Sequence, residues 1–132
     1  MQFLSDEWRL EALGRLRGDS TFTRQASIVG SLRVWIVADP RPRWAESITL
    51  VIRDAVIDAV RGEDGTPDGM ARASYDTWLR LFRGELSPKR AAMTRKLRGK
   101  GLPVLLRNMG LLNALVDVLR SIPLEDPDAS MG

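Results

Sequence analysis

Histidine and cysteine are absent from the chain, so the groups that could move a proton or attack an electrophile reduce to carboxylates, a few lysines and one phenol, Tyr75. That removes thiolate and imidazole nucleophiles, Ser-His-Asp relays, disulfides and the usual zinc sites together. Asp39, Asp58 and Tyr75 are the conceivable acids or bases, yet none stands in a pattern that defines a reaction. No metal site and no cofactor is expected. Tyr75, at a helix start, is expected to be exposed.

What the residue pattern supports instead is burial of apolar surface. Residues 103–122 read as a helix, with Pro103 in the first turn, where a missing N–H is harmless, and Pro123 closing it. At helical spacing Leu105, Met109, Leu112, Val116 and Leu119 form one stripe. Val104, Leu111, Leu115, Val118 and Ile122 form a second stripe beside it, so apolar side chains cover about half the circumference. A surface helix needs an arc of roughly 100° to meet one neighbour. This helix must therefore touch two protein layers, or one layer and an apolar ligand.

The elements that would position it follow from the rest of the chain. The 132 residues suit one domain, placed at residues 1–123, with residues 124–132 as a flexible tail; 44% apolar and 28% charged residues describe ordinary globular material. No apolar run approaches the length of a membrane span, and the start Met1-Gln-Phe-Leu-Ser-Asp-Glu7 lacks a signal pattern, so a cytoplasmic location is expected. Ser5 is a good N-cap for a helix over residues 3–17, with Leu10, Leu13 and Leu16 as its stripe and Trp8 near the core. Residues 21–29 read as a short helix and a turn. Residues 31–38 read as a strand with Leu32, Val34, Ile36 and Ala38 on one face and Arg33, Trp35 and Val37 on the other. Residues 46–60 are rich in β-branched side chains, which favours two strands turning near Arg53-Asp54-Ala55, although those are poor turn residues; helical spacing of Ile48, Ile52, Ala55 and Ala59 is the competing reading. A loop over 61–69 and a strand over 70–74 lead to a short helix from Tyr75 to Arg83, with Gly84 as its stop.

Charge is uneven. The net charge is +3, but Arg80 to Lys100 holds eight cations against one anion, Glu85. A solvated face accounts for such a run, and so does attraction to an anionic membrane surface or an acidic ligand head. Nucleic acid is set aside as a partner, because no helix-turn-helix, RNA-recognition or zinc-finger pattern accompanies the run.

Trp78, Gly84, Pro88, Ala91 or Ala92, Lys96-Leu97 and Gly101 form an ordered set, echoed loosely by Phe3-Leu-Ser-Asp-Glu-Trp8 at the start. In this set the chain resembles the sterol carrier protein type of lipid-transfer domain. The resemblance implies an α+β fold: a five-stranded, mostly antiparallel sheet covered on one face by helices, with an apolar tunnel between them for sterols, fatty acids or their coenzyme A esters. It also places residues 46–60 in strands. Three positions depart from the family pattern: Arg95 where a glycine precedes Lys-Leu, Gly99 inside the last strand where a β-branched residue is usual, and Leu102 where a small polar residue is usual. The last strand is therefore expected to be short or irregular.

On this reading the protein binds and transfers a hydrophobic ligand without catalysis, and its partner is a lipid. The ligand-contacting candidates are Trp35, Ile48, Leu50, Ile52, Trp78, Phe82, Met93, Leu105, Met109, Leu112, Val116 and Leu119. Two alternatives stand beside it: a cyclase or isomerase acting on a hydrophobic substrate in the same cavity, and an interaction module whose core is filled.

Overall fold

The chain enters its first helix at Ser5. In the computed structural model, which describes residues 2–101 and 107–124, α1 runs Asp6–Gly18 and the Ser5 Oγ accepts the Trp8 N–H at 3.1 Å. Trp8, Ala12 and Leu16, spaced four apart, are buried together with Leu13. Leu10, expected on that stripe, is 56% exposed, because a repeat of three slips by about 60° per step around a 3.6-residue helix. Asp19 then closes α1 and caps α2 (Ser20–Val29), its Oδ1 accepting the Phe22 N–H at 2.8 Å. Residues 20–29 thus form one continuous helix instead of a helix and a turn, and Gly30 at φ 80° ends it.

Five strands follow: β1 (Ser31–Ala38), β2 (Ile48–Arg53), β3 (Val56–Arg61), β4 (Gly69–Ala73) and β5 (Leu97–Lys100). They form one sheet in the order β3-β2-β1-β4-β5, in which only the β1–β4 pair is parallel. The β-branched residues of 48–60 settle into the β2–β3 hairpin, since χ1-restricted side chains pack well on a pleated surface. The connection is the two-residue turn Asp54-Ala55, with both residues at positive φ, 51° and 65°. This is the turn geometry whose twist matches a hairpin, and it normally takes glycine at the second position.

Between β4 and β5 lie α3 (Tyr75–Phe82), capped by Ser74, and α4 (Pro88–Met93), capped by Ser87. α5 (Met109–Arg120) follows the sheet. The expected helix start at Pro103, Val104 and Leu105, and the tail beyond Leu124, lie outside the described residues. β5 is short, as the departures from the family pattern led one to expect. Its end at Gly101 has φ 70°, and a Cβ there would lie 2.3 Å from the Asp68 carbonyl oxygen, so only glycine permits this close approach to the start of β4.

Alternation divides the sheet into two faces. Leu32, Val34, Ile36 and Ala38 of β1, with Ile48, Leu50 and Ile52 of β2, face the helices and form the core with Trp8, Leu16, Phe22, Leu111, Leu115 and Leu119. Arg33, Trp35 and Thr49 face the other way, toward the loop between β3 and β4. There Asp64 O accepts the Trp35 Nε1–H at 3.0 Å, Asp64 Oδ2 pairs with Arg33, and the Thr49 hydroxyl donates to Gly62 O. At the sheet's β3 edge, α1 reaches over: Arg9 donates to Ala59 O at 2.8 Å and Arg17 to Ile57 O at 3.0 Å.

Replacing Ala55 with glycine is expected to stabilise the protein by about 0.5–1 kcal/mol, because the left-handed conformation penalises a Cβ more than the added chain entropy offsets. Urea unfolding checks this: the midpoint should rise with an unchanged slope.

Candidate functional site

α5 explains how the cavity arises. Its second stripe, Leu111, Leu115, Val118 and Ile122, is buried, and the helix packs mainly against α2. Its first stripe behaves differently: Leu119 is buried, Leu112 and Val116 are half-buried, and Met109 is 43% exposed. That stripe looks into a cavity of about 230 Å³ between α5, α3 and the sheet.

Among the described residues, β1 contributes Val34 and Ile36 to the wall, β4 Ala71 and β5 Leu97. α3 adds Trp78, Leu81 and Phe82, and α5 adds Met109, Leu112, Asn113, Leu115, Val116 and Leu119. Of these side chains the Trp78 indole and the Asn113 amide alone carry polar atoms, and the indole N–H is already engaged. It donates from Nε1 to Val37 O at 2.9 Å, which holds Trp78 in place, and the ring stacks on Phe82 with centroids 5.8 Å apart and planes at 13°. Behind them Phe3, fully buried, packs against Trp8, Phe82, Tyr75 and Trp78 at 4.8 to 6.4 Å between centroids. A smaller void of about 20 Å³ adjoins the cavity through shared walls at Ile36, Leu115 and Leu119, and Ile48, Leu50, Trp8 and Ala59 line it.

The structure therefore gathers Trp78, Phe82, Met109, Leu112, Val116 and Leu119 in the cavity and puts Ile48 and Leu50 at the adjoining void. Three other sequence candidates lie elsewhere, and one is not among the described residues. Ile52 is buried in the core without lining either space. Trp35 is on the opposite face of the sheet, tied to Asp64, because it shares its side of β1 with Arg33. Met93, at the end of α4, is 75% exposed, and Leu105 lies outside the described residues. Val34, Ile36, Ala71, Leu81, Leu97, Asn113 and Leu115 line the cavity without having been singled out. Strict alternation along β1 would have found Val34 and Ile36 once the charge of Arg33 was used to assign Trp35's face.

The three candidate acid-base residues do not reach this cavity. Asp39 borders two polar clefts at the end of the sheet, and Asp58 is exposed on β3, with its Oδ1 accepting the Ala59 N–H at 2.8 Å. Tyr75 is buried, contrary to its expected exposure, because Phe3 and Trp44 sandwich its ring at 5.6 and 5.4 Å. Its hydroxyl lies beside the Phe3 backbone but makes no hydrogen bond of good geometry among the described residues. Burial pushes its pKa up to about 12, and the Arg83 charge opposes that shift. The described residues hold no cluster of metal-ligating side chains and no helix long and apolar enough to cross a membrane.

The fold has known counterparts. The model of the SCP-2 sterol transfer family matches residues 6–113. The crystal structure of a sterol carrier protein 2 superposes with a TM-score of 0.73 at 21% identity, covering 92% of this chain and 100% of that one. A Thermus thermophilus protein, described as possibly a sterol carrier protein, gives a TM-score of 0.68 at 22% identity over 96% of this chain and 93% of its own. Apo sterol carrier protein 2 from Yarrowia lipolytica gives 0.62 at 16% identity over 88% and 89%. No curated protein sequence matches the chain significantly. At such identities the structural likeness is one of fold: α+β, with helices over one face of a five-stranded sheet. With the family model covering most of its length, the chain belongs to the SCP-2 sterol transfer family.

Tyr75 is the lone tyrosine, so its ionisation can be read directly. Phenolate absorbance of the folded protein should titrate near pH 12, above the ordinary value of 10.0. A folded-state pKa raised above the unfolded one means the folded form holds the proton longer. The associated stability is therefore fully present below pH 10 and is lost as pH rises toward 12. A titration midpoint near 10 in folded protein would show the ring to be solvated.

Proposed function

We propose that the protein binds the apolar part of a lipid in the cavity between α5, α3 and the sheet, and carries it without chemical change. The observation that carries this reading is the half-exposed stripe Met109, Leu112 and Val116, which faces an almost wholly apolar wall and has no described protein layer filling the space before it. Membership of the SCP-2 sterol transfer family supports it. So does the placement of Asp39, Asp58 and Tyr75, none of which lines the cavity.

Burial alone supplies the binding energy. Each methylene removed from water contributes about 0.8 kcal/mol, so an acyl chain of ten or so carbons outweighs the several kcal/mol lost on association. The volume of about 230 Å³ lies below the roughly 300–1,000 Å³ typical of ligand sites. A fatty acid or an isoprenoid-like chain therefore enlarges the cavity as it enters, opening a tunnel between sheet and α5. Met109 and Asn113, both exposed, mark the mouth, and the Asn113 amide can both donate to and accept from a hydroxyl or carboxyl head.

Native mass spectrometry after incubation with palmitate should show one bound molecule per chain. Leu112→Arg should weaken uptake by more than about tenfold, since it places a charge in a dry apolar space. Leu10→Arg, on the exposed face of α1, should leave uptake unchanged. Circular dichroism confirms that both variants fold. A spectrum holding only the unliganded mass after excess palmitate, oleate and sterol would overturn the proposal.

A further inference from the structure

The basic run of the sequence divides in the fold. Lys89 and Arg90 stand on exposed positions of α4, whereas Arg95, Lys96 and Arg98 gather with Arg72 where β4 ends and β5 begins. Arg72 lies directly opposite Arg98 in the β4–β5 register, so both side chains leave the same face of the sheet. Like charges in that relation repel. All four cations are exposed, and none forms an ion pair among the described residues. They border a cleft of about 300 Å³ together with Ser74, Thr77 and Asp39, which sets four cations against one carboxylate. Ser74 Oγ donates to Thr77 Oγ1 at 2.9 Å, and this leaves one of the two hydroxyl protons free for a ligand.

Arg95 is carried into the cleft by the end of α4. Its φ is 60°, the left-handed region that disfavours any residue with a Cβ. Its carbonyl lies 3.5 Å from the Arg98 Nε, which keeps the two side chains' origins together. It is the residue after the C-cap of α4: its N–H reaches Ala92 O at 3.2 Å and the Lys96 N–H reaches Ala91 O at 2.9 Å, the left-handed close of a helix.

We infer that this cleft binds a phosphate-bearing group, a phosphomonoester or a diphosphate. Guanidinium forks match phosphate oxygens in pairs, and a dianion relieves the repulsion between Arg72 and Arg98. The site is separate from the apolar cavity: Ala71 and Leu97, which line that cavity, face the opposite side of the sheet from Arg72 and Arg98. It stands whether or not the cavity takes a lipid.

Titration of isotope-labelled protein with inorganic pyrophosphate tests it. The expected result is a saturable set of amide shifts confined to residues 72–77 and 95–98. Arg72→Gln with Arg98→Gln should weaken binding by about tenfold or more, while Arg24→Gln, an exposed change on α2, should not. Arg95→Gly should melt at a higher temperature than the parent and bind more weakly. Vesicles of phosphatidylcholine containing phosphatidic acid identify the source of the phosphate. Cosedimentation that pyrophosphate competes away assigns a lipid headgroup, and saturable pyrophosphate binding without cosedimentation assigns a soluble phosphate compound. Shifts spread evenly over every exposed cation, or a double variant that binds pyrophosphate like the parent, would overturn the inference.

Discussion

An amphipathic helix with two adjacent apolar stripes cannot be satisfied by a single neighbour, and the architecture around α5 follows from that constraint. One stripe is covered by protein, chiefly α2, and provides the packing that fixes the helix. The other faces the sheet across a space that α3 borders without filling. If larger side chains closed that space, the core would gain contact energy and lose its vacancy. Close-packed interiors rarely leave such room without a use for it.

α3 holds the cavity open because it is anchored from behind. The Trp78 indole is pinned to Val37 O, its ring is backed by Phe82, and both rest on Phe3, which itself sits between Trp8 and Tyr75. Aromatic rings are large and have few rotatable bonds, so a cluster of them makes a stiff support. The cavity thus has a rigid side, formed by α3 and the sheet, and a side on α5 where Leu112 and Val116 are half-buried and Met109 is exposed.

Features written into local physical chemistry were legible in the sequence. Ser5 as a cap, β1 to the residue and the stripes of α5 follow from capping, alternation and helical spacing, whereas residues 46–60 fit a helix as well as strands on pattern alone and are placed in strands by the family resemblance. Four of the residues singled out as candidates, Met109, Leu112, Val116 and Leu119, border the cavity through that same helical spacing. Features decided by tertiary packing were not legible. Alternation already puts Trp35 on the Arg33 side of β1, but that its indole N–H would find Asp64 O there depends on the loop between β3 and β4. Tyr75 looks like a surface residue at a helix start until Phe3 and Trp44 close over it. The short β5 was foreseeable from the unusual residues at 95 and 99. The meeting of Arg72 with Arg98 was not, because it depends on a strand register that joins positions 26 residues apart.

Any exposed strand edge offers backbone groups to which a foreign strand can add. Here α1 answers that exposure at β3: Arg9 and Arg17 already occupy the outward carbonyls of Ala59 and Ile57, so an arriving strand would have to displace two guanidinium groups before its first hydrogen bond formed. At the other edge, β5 is only four residues long and carries Arg98 and Lys100, so a second copy approaching edge to edge brings like charge against like charge. The sheet is thereby guarded against growth at both ends, by occupied acceptors on one side and by repulsion on the other. An exposed edge would otherwise offer a route to aggregation through strand addition.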